Sequence, residues 1–277
     1  MNIKRKMMKV GFLQFQPILK DVETNIDSIS KLIDETRSFD LLVIPELANS
    51  GYVFVEKNEL AKVSEEIPSG YFVEKLTELA KQKNGYIVCG VCEKSGSKYF
   101  NSSVLVGPEG FVAKYRKVHL FDREKLFFEP GNGPFKLYNI RGMNLGILVC
   151  WDWIFPEATR SLALQGMDIL AHSTNLVLSF CQTAMITRSI ENQIFTITSN
   201  RIGIETNGEI SLHFKGHSQV TTPDAKRLVQ ASTDKEEVHF VEIDITKARN
   251  KWLSDNNHIF KDRRPEMYNT LVEKKEF

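Results

Sequence analysis

LGILVCWDWIFP, residues 145–156, is the stretch from which the fold of this chain is read. Leu145 to Val149 are mostly apolar and suit a buried strand. The run ends in Cys150. Pro156 then suits the first turn of a helix, and Glu157 to Gln165 continue with helical spacing until Gly166 stops them. A cysteine at a strand-to-helix turn sits where an open sheet presents its ligand site, and backbone N–H groups there can stabilise an anion. The alternative is a core cysteine, which packs as a small hydrophobe.

Working outward, the same alternation of buried strand and amphipathic helix recurs. Val10–Phe15 is strand-like and ends at Pro17. Asp21–Arg37 carries Ile26, Ile29, Leu32 and Ile33 at helical spacing, with Asp21 or Asn25 as cap. Leu41–Ile44 is a short strand buried on both faces, closed by Pro45-Glu46. A Pro-Ser-Gly turn interrupts the start of Glu65–Lys83, whose later residues Phe72, Leu76, Leu79 and Ala80 mark one helical face. Tyr86–Cys92 and Phe100–Val106 are strands, followed by the turn Gly107-Pro108-Glu109-Gly110 and a polar strand or loop, Phe111–Leu120. Further strands are expected over Phe135–Ile140, Asp168–Ala171, Ile194–Ser199, Gly216–Thr222 and Val238–Ile243, with a helix over Gln182–Asn192 and a closing segment Thr246–Trp252. About ten strands interleave with four or five helices, so mixed sheets covered by helices are expected. Nothing divides the chain, and residues 1–277 read as a single domain.

Composition narrows the function. The chain of 277 residues is 42% hydrophobic, and 36 Lys+Arg nearly balance 35 Asp+Glu, so there is no electrostatic case for nucleic acid or an acidic membrane. No apolar run approaches the ~18 residues needed to span a bilayer. The start, MNIKRKMMK, reads as a basic stub before a strand, with Met1, Met7 or Met8 as the initiator. Four cysteines (Cys89, Cys92, Cys150 and Cys181) are too few for a disulfide scaffold, and a reducing cytoplasm fits them.

Three reactive side chains stand at strand ends or in the loops that follow: Glu46 after LLVIP, Lys117 in KYRKVHL, and Cys150. A thiol needs a base to become a thiolate, and a carboxylate can serve. A cation stabilises both the thiolate and the oxyanion of a tetrahedral intermediate. Together the three would make an acyl-transfer site, although spacing alone does not bring them together. Each also has a plain alternative: a turn carboxylate, an exposed cationic face, and a core cysteine.

The chain resembles the carbon–nitrogen hydrolase (nitrilase) superfamily. The matching segments are PELANSGY (45–52), KYRKVHLF (114–121), EKLFFEPG (124–131), CWDWIFPEATRSLALQGMDIL (150–170), RSIENQIFTITSNRIG (188–203), GHSQVTTPDAK (216–226) and FKDRRPEMY (260–268), in family order across the chain. The resemblance implies a four-layer α-β-β-α sandwich with Glu46 as general base, Lys117 as oxyanion stabiliser and Cys150 as nucleophile. Glu124 falls on a second glutamate that helps hold lysine and substrate. The implied reaction is amide hydrolysis through a thioester: Cys150 attacks the carbonyl, Lys117 and the Trp151 N–H bind the oxyanion, and Glu46 passes the proton to the leaving amine and then activates water. It needs neither metal nor organic cofactor. The resemblance also implies a homodimer or higher homo-oligomer, with the tail near residues 246–277 at the subunit interface.

The resemblance implies a small amide as the expected substrate. True nitrilases of the superfamily usually carry Glu two residues after the cysteine, so Asp152 points to its amidase branches. Carbamoylases acting on amino-acid derivatives tend to place arginines where Trp153 and Ile154 stand here. The alternatives are an N-carbamoyl amine (carbamoylputrescine-like) hydrolase, a nitrilase, acyl transfer to a small nucleophile as a side activity, and a non-catalytic protein on the same scaffold. Glu56, Glu59 and Asp122 are the acidic side chains available for an amine tail, though surface positions explain them as well. Tyr52, Phe54, Trp151, Trp153 and Phe155 fit an aromatic pocket or core packing, and Asn175 fits a substrate contact or a turn.

Other signals carry no function. Cys89 and Cys92 have CxxC spacing inside a strand-like run, where residues three apart face opposite ways. GMNLG (142–146) lacks the lysine of a phosphate loop. The six histidines show no ligand pairing. Arg188, Glu191 and Asn192 share a helix and read as an ion pair or subunit contact.

Overall fold

A computed structural model describes residues 6–274. The first half of the chain forms β1 (Met7–Gln14), α1 (Val22–Leu32), β2 (Leu41–Ile44), α2 (Lys57–Val63), α3 (Tyr71–Gln82), β3 (Tyr86–Ser95), β4 (Lys98–Gly107) and β5 (Gly110–Arg116). The second half forms β6 (Tyr138–Ile140), β7 (Met143–Val149), α4 (Pro156–Leu164), β8 (Ile169–Thr174), α5 (Cys181–Asn192) and β9 (Phe195–Asn200). A hairpin, β10 (Ile202–Asn207) with β11 (Ile210–Lys215), precedes β12 (Gln219–Thr221), β13 (Arg227–Gln230) and β14 (Glu237–Asp244).

Two mixed sheets result. One runs β14-β1-β2-β3-β4-β5 and the other β13-β12-β9-β8-β7-β6. In the first, the β1-β2 and β2-β3 pairs are parallel, the other pairs in this order are antiparallel, and the short strand Glu65–Glu66 adds a parallel pairing with β3. In the second, β9-β8 and β8-β7 are parallel. The parallel pairs are joined through helical crossovers, which cover the outer faces. Alternation along β2 then separates the layers. Leu41 and Val43 join Val10, Phe12, Ile147, Val149 and Ile197 in the core between the sheets. Leu42 and Ile44 join Ile29, Phe72 and Leu76 of α1 and α3 in the outer core. On the far side, Ala158 and Leu162 of α4 and Cys181 and Met185 of α5 pack on the second sheet. The order is helix, sheet, sheet, helix, and it explains why LLVI and LGILV read as apolar without alternation: both of their faces are buried.

Several boundaries differ from the sequence reading. Asp21 is the cap of α1, its carboxylate accepting from Thr24 N at 3.0 Å, and the helix stops at Leu32. Asn25 is buried inside it, bonding Ile18 N at 2.7 Å and Asn49 O at 3.1 Å. The strand expected over 135–140 is confined to Tyr138–Ile140, the residues that pair with β7. That expected over 216–222 shrinks to Gln219–Thr221, because Gly216 and His217 take positive φ. Ile245–Arg249 is a 3-10 turn capped by Asp244, and Trp252–Ser254 pairs with Asn257–His258. The β10–β11 hairpin, closed by Gly208-Glu209, and the helix α2 are additional. Cys89 and Cys92 lie within β3, in two different apolar clusters, and all four cysteines are free. Arg188 and Glu191 form an ion pair at 3.0 Å. Met7 and Met8 pair with β14, whereas Met1 and the first residues of the basic stub lie outside the described residues.

Candidate active site

The chemistry-bearing residues follow the C-terminal ends of strands. Glu46 comes just after β2, Lys117 just after β5, Cys150 at the end of β7 and Asn175 at the end of β8. The ends of parallel strands, here β2, β7 and β8, are where open sheets place ligands. Close backbone packing fixes Glu46. Gly90 N donates to the Pro45 carbonyl at 3.0 Å, and Ala48 N donates to the Gly90 carbonyl at 2.9 Å. A Cβ at Gly90 would lie 2.3 Å from the Glu46 Cα, so only glycine permits this approach.

Glu46, Lys117 and Glu124 form one buried ionic chain. Lys117 Nζ lies 2.7 Å from Glu46 Oε1 and 2.7 Å from Glu124 Oε1. Asn101 Nδ2 donates to Glu46 Oε1 at 2.7 Å. Tyr52 Oη donates to Glu124 Oε1 at 2.8 Å, and Phe121 N donates to its Oε2 at 3.1 Å. The second oxygen of Glu46, Oε2, is buried and accepts no hydrogen bond from the described residues. Burial pushes the Glu46 carboxyl up to about 7, against the pull of Lys117 and with the help of Glu124. Burial alone would lower Lys117, but the charges of Glu124 and Glu46 outweigh it and hold the ammonium well above its ordinary value. Near neutral pH the site thus holds a fixed cation beside a carboxyl poised between its two protonation states.

Cys150 sits close enough to both groups to feel their charges. Burial pushes its thiol well up, Glu46 adds to that, and Lys117 opposes it. The resting group is the thiol, and a base must take its proton when it reacts. The residue has φ +40°, a left-handed conformation rare outside glycine, at the start of the 3-10 turn Cys150–Ile154. That turn is anchored on both sides. His172 Nε2 contacts the Cys150 carbonyl at 2.9 Å, and burial depresses this imidazole to about 4, so it is neutral and donates. Asn175 Nδ2 donates to the Glu46 carbonyl at 2.9 Å, and the Asn175 carbonyl lies 3.9 Å from Cys150 Sγ.

Asp152, two residues after the cysteine, does not face the crevice. It is buried and turned into the protein. Oδ2 accepts from Val149 N at 3.0 Å and Tyr115 Oη at 2.7 Å, and Oδ1 from His119 N at 3.1 Å and His119 Nδ1 at 2.7 Å. It therefore ties the segment after Lys117 to the residue before the cysteine.

Above the sulfur is a narrow crevice of about 20 Å³ walled by Phe121, Trp151, Trp153, Asn175 and Leu176–Leu178. Past Phe121 and Val177 it meets an apolar chamber of about 290 Å³, whose lining includes Tyr52, Phe54, Asp122, Glu124, Phe127 and Leu212. Of the expected substrate contacts, Trp151, Trp153 and Asn175 border the crevice, and Tyr52 borders the chamber while bonding Glu124. Glu59 instead pairs with Lys20 at 2.6 Å and accepts from Asn207, and Glu56 caps α2. Phe155 stacks on His119 at 3.8 Å.

Sequence reasoning did not identify Asn101, Gly90 or the pair Arg201–Glu205. Arg201 is fully buried, 2.5 Å from Glu205 Oε2 and 4.3 Å over the Phe214 ring. Glu205 Oε1 accepts from Tyr52 N at 2.7 Å and Val53 N at 2.5 Å, fixing the turn that carries Tyr52. Asn101, Gly90 and Tyr52 meet their partners across long stretches of sequence, whereas Arg201 and Glu205 are four residues apart, and the one local signal was Gly208 in the turn of the hairpin that presents Glu205.

This chain and its fold have counterparts. The carbon-nitrogen hydrolase family model matches residues 9–251, and the chain belongs to that family. A protein named nitrilase from Pyrococcus abyssi is 42% identical over 264 residues, covering 95% of this chain and 99% of that one. An (R)-stereoselective amidase from Pseudomonas sp is 36% identical over 209 residues, covering 74% and 73%. The solved carbon-nitrogen hydrolase from Helicobacter pylori G27 superposes with TM-score 0.83 at 26% identity, over 97% of this chain and 99% of that one. The protein is an enzyme that hydrolyses carbon–nitrogen bonds.

Proposed function

We propose that the protein cleaves a small amide to a carboxylate and ammonia through a thioester on Cys150. The observation that carries the reading is the buried chain Asn101–Glu46–Lys117–Glu124, set beside a thiol at a strained strand-to-helix turn. Glu46 takes the thiol proton as sulfur attacks the carbonyl carbon. Its unpartnered Oε2 and its position near 7 suit a group that must both accept and return a proton. Lys117 Nζ and the Trp151 N–H stabilise the oxyanion. Glu46 then protonates the departing amine and deprotonates the water that hydrolyses the thioester. Glu124, held by Tyr52, keeps Lys117 aimed.

A nitrile is the second reading, favoured by the 42% identity to a protein named nitrilase. Asp152 does not argue against it, since its carboxylate is engaged by Val149, Tyr115 and His119 rather than aimed at the crevice. Addition of sulfur to a nitrile gives a thioimidate, and the same three groups serve it.

Ammonia release from paired amides and nitriles tests both readings, with Cys150→Ala as control. Release from amides that is lost in the variant supports the first reading, and release from nitriles alone replaces it with the second. Release that persists within tenfold in Cys150→Ala refutes the nucleophile. Glu46→Gln is expected to block acylation and deacylation alike. We also propose pairing of two copies through the C-terminal tail, supported by its exposed Leu253, Met267 and Leu271; a monomer by sedimentation at micromolar concentration overturns this.

A further inference from the structure

Arg201 and Glu205 have no task in the chemistry above, although both are buried. A buried ion pair adds little net stability over apolar residues of the same volume, so what it positions is informative. Arg201 follows β9 and Glu205 lies in β10. The guanidinium pairs with Glu205 Oε2 at 2.5 Å, donates to the Pro17 carbonyl at 3.2 Å and sits 4.3 Å over the Phe214 ring. Glu205 turns its other oxygen to the backbone after Gly51, where Oε1 accepts from Tyr52 N at 2.7 Å and Val53 N at 2.5 Å. Asn207 of the same strand donates to the Val53 carbonyl at 2.9 Å. Gly51 has φ +75°, and a Cβ there would lie 2.8 Å from Glu205 Oε2 and 2.9 Å from the Leu19 Cα, so turn and carboxylate meet with no room for a side chain.

The turn held in this way has a functional group at each end. Glu46 opens it. Tyr52 closes it, and its hydroxyl donates to Glu124 Oε1 at 2.8 Å, the same oxygen that meets Lys117 Nζ at 2.7 Å. A continuous path therefore runs from Arg201 through Glu205, Tyr52 and Glu124 to Lys117. The Tyr52 ring also packs edge-on against Phe214 at 5.9 Å, the ring under Arg201. With the ring packed, the place of the hydroxyl follows the backbone at Tyr52. Arg201 balances the charge of Glu205, so the turn gains a strong acceptor without a further net negative charge near Glu46 and Glu124.

We propose that Glu205 is a positioning residue for the oxyanion cation. By fixing the backbone at Tyr52 it sets where the tyrosine hydroxyl holds Glu124, and so where Glu124 holds Lys117. The proposal rests on the thioester reading above and deepens it: support for Lys117 comes from the β10–β11 hairpin, which holds none of the reacting groups. A carboxylate that only secured the hairpin would act on stability, not through the tyrosine hydroxyl.

The test is a cycle of the full-length parent, Tyr52→Phe, Glu205→Gln and the double variant, assayed on the best-cleaved of the amides and nitriles above. Phenylalanine keeps the ring against Phe214 and removes only the donor to Glu124. Glutamine keeps one oxygen, so a donor faces either Arg201 or the Tyr52 and Val53 N–H groups. Each single variant is expected to lower kcat by about tenfold with KM within about twofold, the signature of an interaction made in the transition state. In the Tyr52→Phe background Glu205→Gln should lower kcat by less than about twofold more, because the hydroxyl it acts through is gone. Losses that multiply to about a hundredfold, a loss carried wholly by KM, or parental kcat in Glu205→Gln overturns the relay and leaves the thioester reading standing. Where Glu205→Gln fails to fold, Arg201→Met/Glu205→Leu removes the buried charge and the acceptor together and takes its place in the cycle. A second cycle needs no turnover: the rate at which iodoacetamide alkylates Cys150. Lys117 opposes the upward push on this thiol, so a displaced Lys117 slows alkylation, by about threefold in each single variant. No further slowing in the double variant supports the relay even where nothing is cleaved, an outcome that counts against the thioester reading alone. Slowing that multiplies, or none in Glu205→Gln, counts against the relay.

Discussion

Replacing Asp152 by Asn tests whether this carboxylate serves as a staple between the two halves of the site. Its oxygens accept from four donors: Val149 N, Tyr115 Oη, His119 N and His119 Nδ1. Asparagine keeps one oxygen. If its NH2 faces the histidine, Nδ1 can turn acceptor by changing tautomer, but the His119 backbone N–H is stranded. If the NH2 faces the other way, Tyr115 can accept through its hydroxyl oxygen, but the Val149 N–H is stranded. Either way one buried backbone donor loses its partner, at a cost of about 1–3 kcal/mol. The surviving bonds change from charged to neutral, each weaker by roughly 1 kcal/mol. A net loss of about 4 kcal/mol or more follows and lowers Tm by about 8 °C in a chain of this length. The stranded group also loosens the link between the Cys150 turn and the Lys117 segment, and a displacement of about 1 Å costs on the order of a hundredfold in rate. Thermal melting, kcat, and the alkylation rate of Cys150 by iodoacetamide read the three effects. A variant that melts within 2 °C of the parent, with kcat within a factor of two, would refute the staple.

The acid limb of the pH profile is a second test. Glu46 must be ionised to take the thiol proton, and burial holds it near about 7, so kcat/KM should fall about tenfold per pH unit below that point; a limb near the ordinary glutamate value excludes Glu46 as the base. Glu65, which accepts from Phe72 N at 2.9 Å, is also pushed by burial to about 7. Its folded pKa lies above its unfolded one, so the stabilisation from its proton is complete below about pH 4.5 and disappears as pH rises through about 7, roughly 3 kcal/mol in all. Urea unfolding of Glu65→Gln at about pH 5 and about pH 8 should show a flatter dependence than the parent. Glu205→Ala leaves Arg201 buried without its carboxylate and frees Tyr52 N and Val53 N, at about 3–5 kcal/mol. A denaturation midpoint unchanged by that substitution would contradict the structural role given to the pair.

Much of the layered fold was legible because burial on both faces leaves an unmistakable trace. LLVI and LGILV have no polar residue to alternate with, and each proved to be an inner strand ending at a reactive side chain. Pro156 marked the start of α4 for the reason expected, the fixed φ of a first-turn proline. The β10–β11 hairpin was hidden because it pairs only with itself and half of it faces solvent, so its apolar pattern is weak. At the site, Glu46, Lys117 and Cys150 were findable as isolated residues at strand ends, but their meeting was not, since Lys117 and Glu46 are 71 residues apart. Asp152 reads in the sequence only as a mark of the amidase branches; that it staples Val149, Tyr115 and His119 could not be seen, because two of these three partners are more than 30 residues away. Asn101 gave no signal, being one polar residue in a strand whose neighbours Ser102 and Ser103 look the same.

Lys117, wholly buried between two carboxylates, has a consequence for motion. Its partners lie on the turn after β2 and on the short helix Glu124–Phe127, and Asn101 of β4 holds the first of them. Glu46 and Lys117 cannot reach bulk water unless the sheet ends that carry them separate, so their opening free energy approaches that of the whole core. Backbone amides around Glu46 and Lys117 should therefore be among the slowest to exchange. Turnover then cannot depend on these charges moving out to meet a substrate. The wall at Val177 and the aromatic rim must move instead, so chemistry and access are assigned to different parts of the molecule.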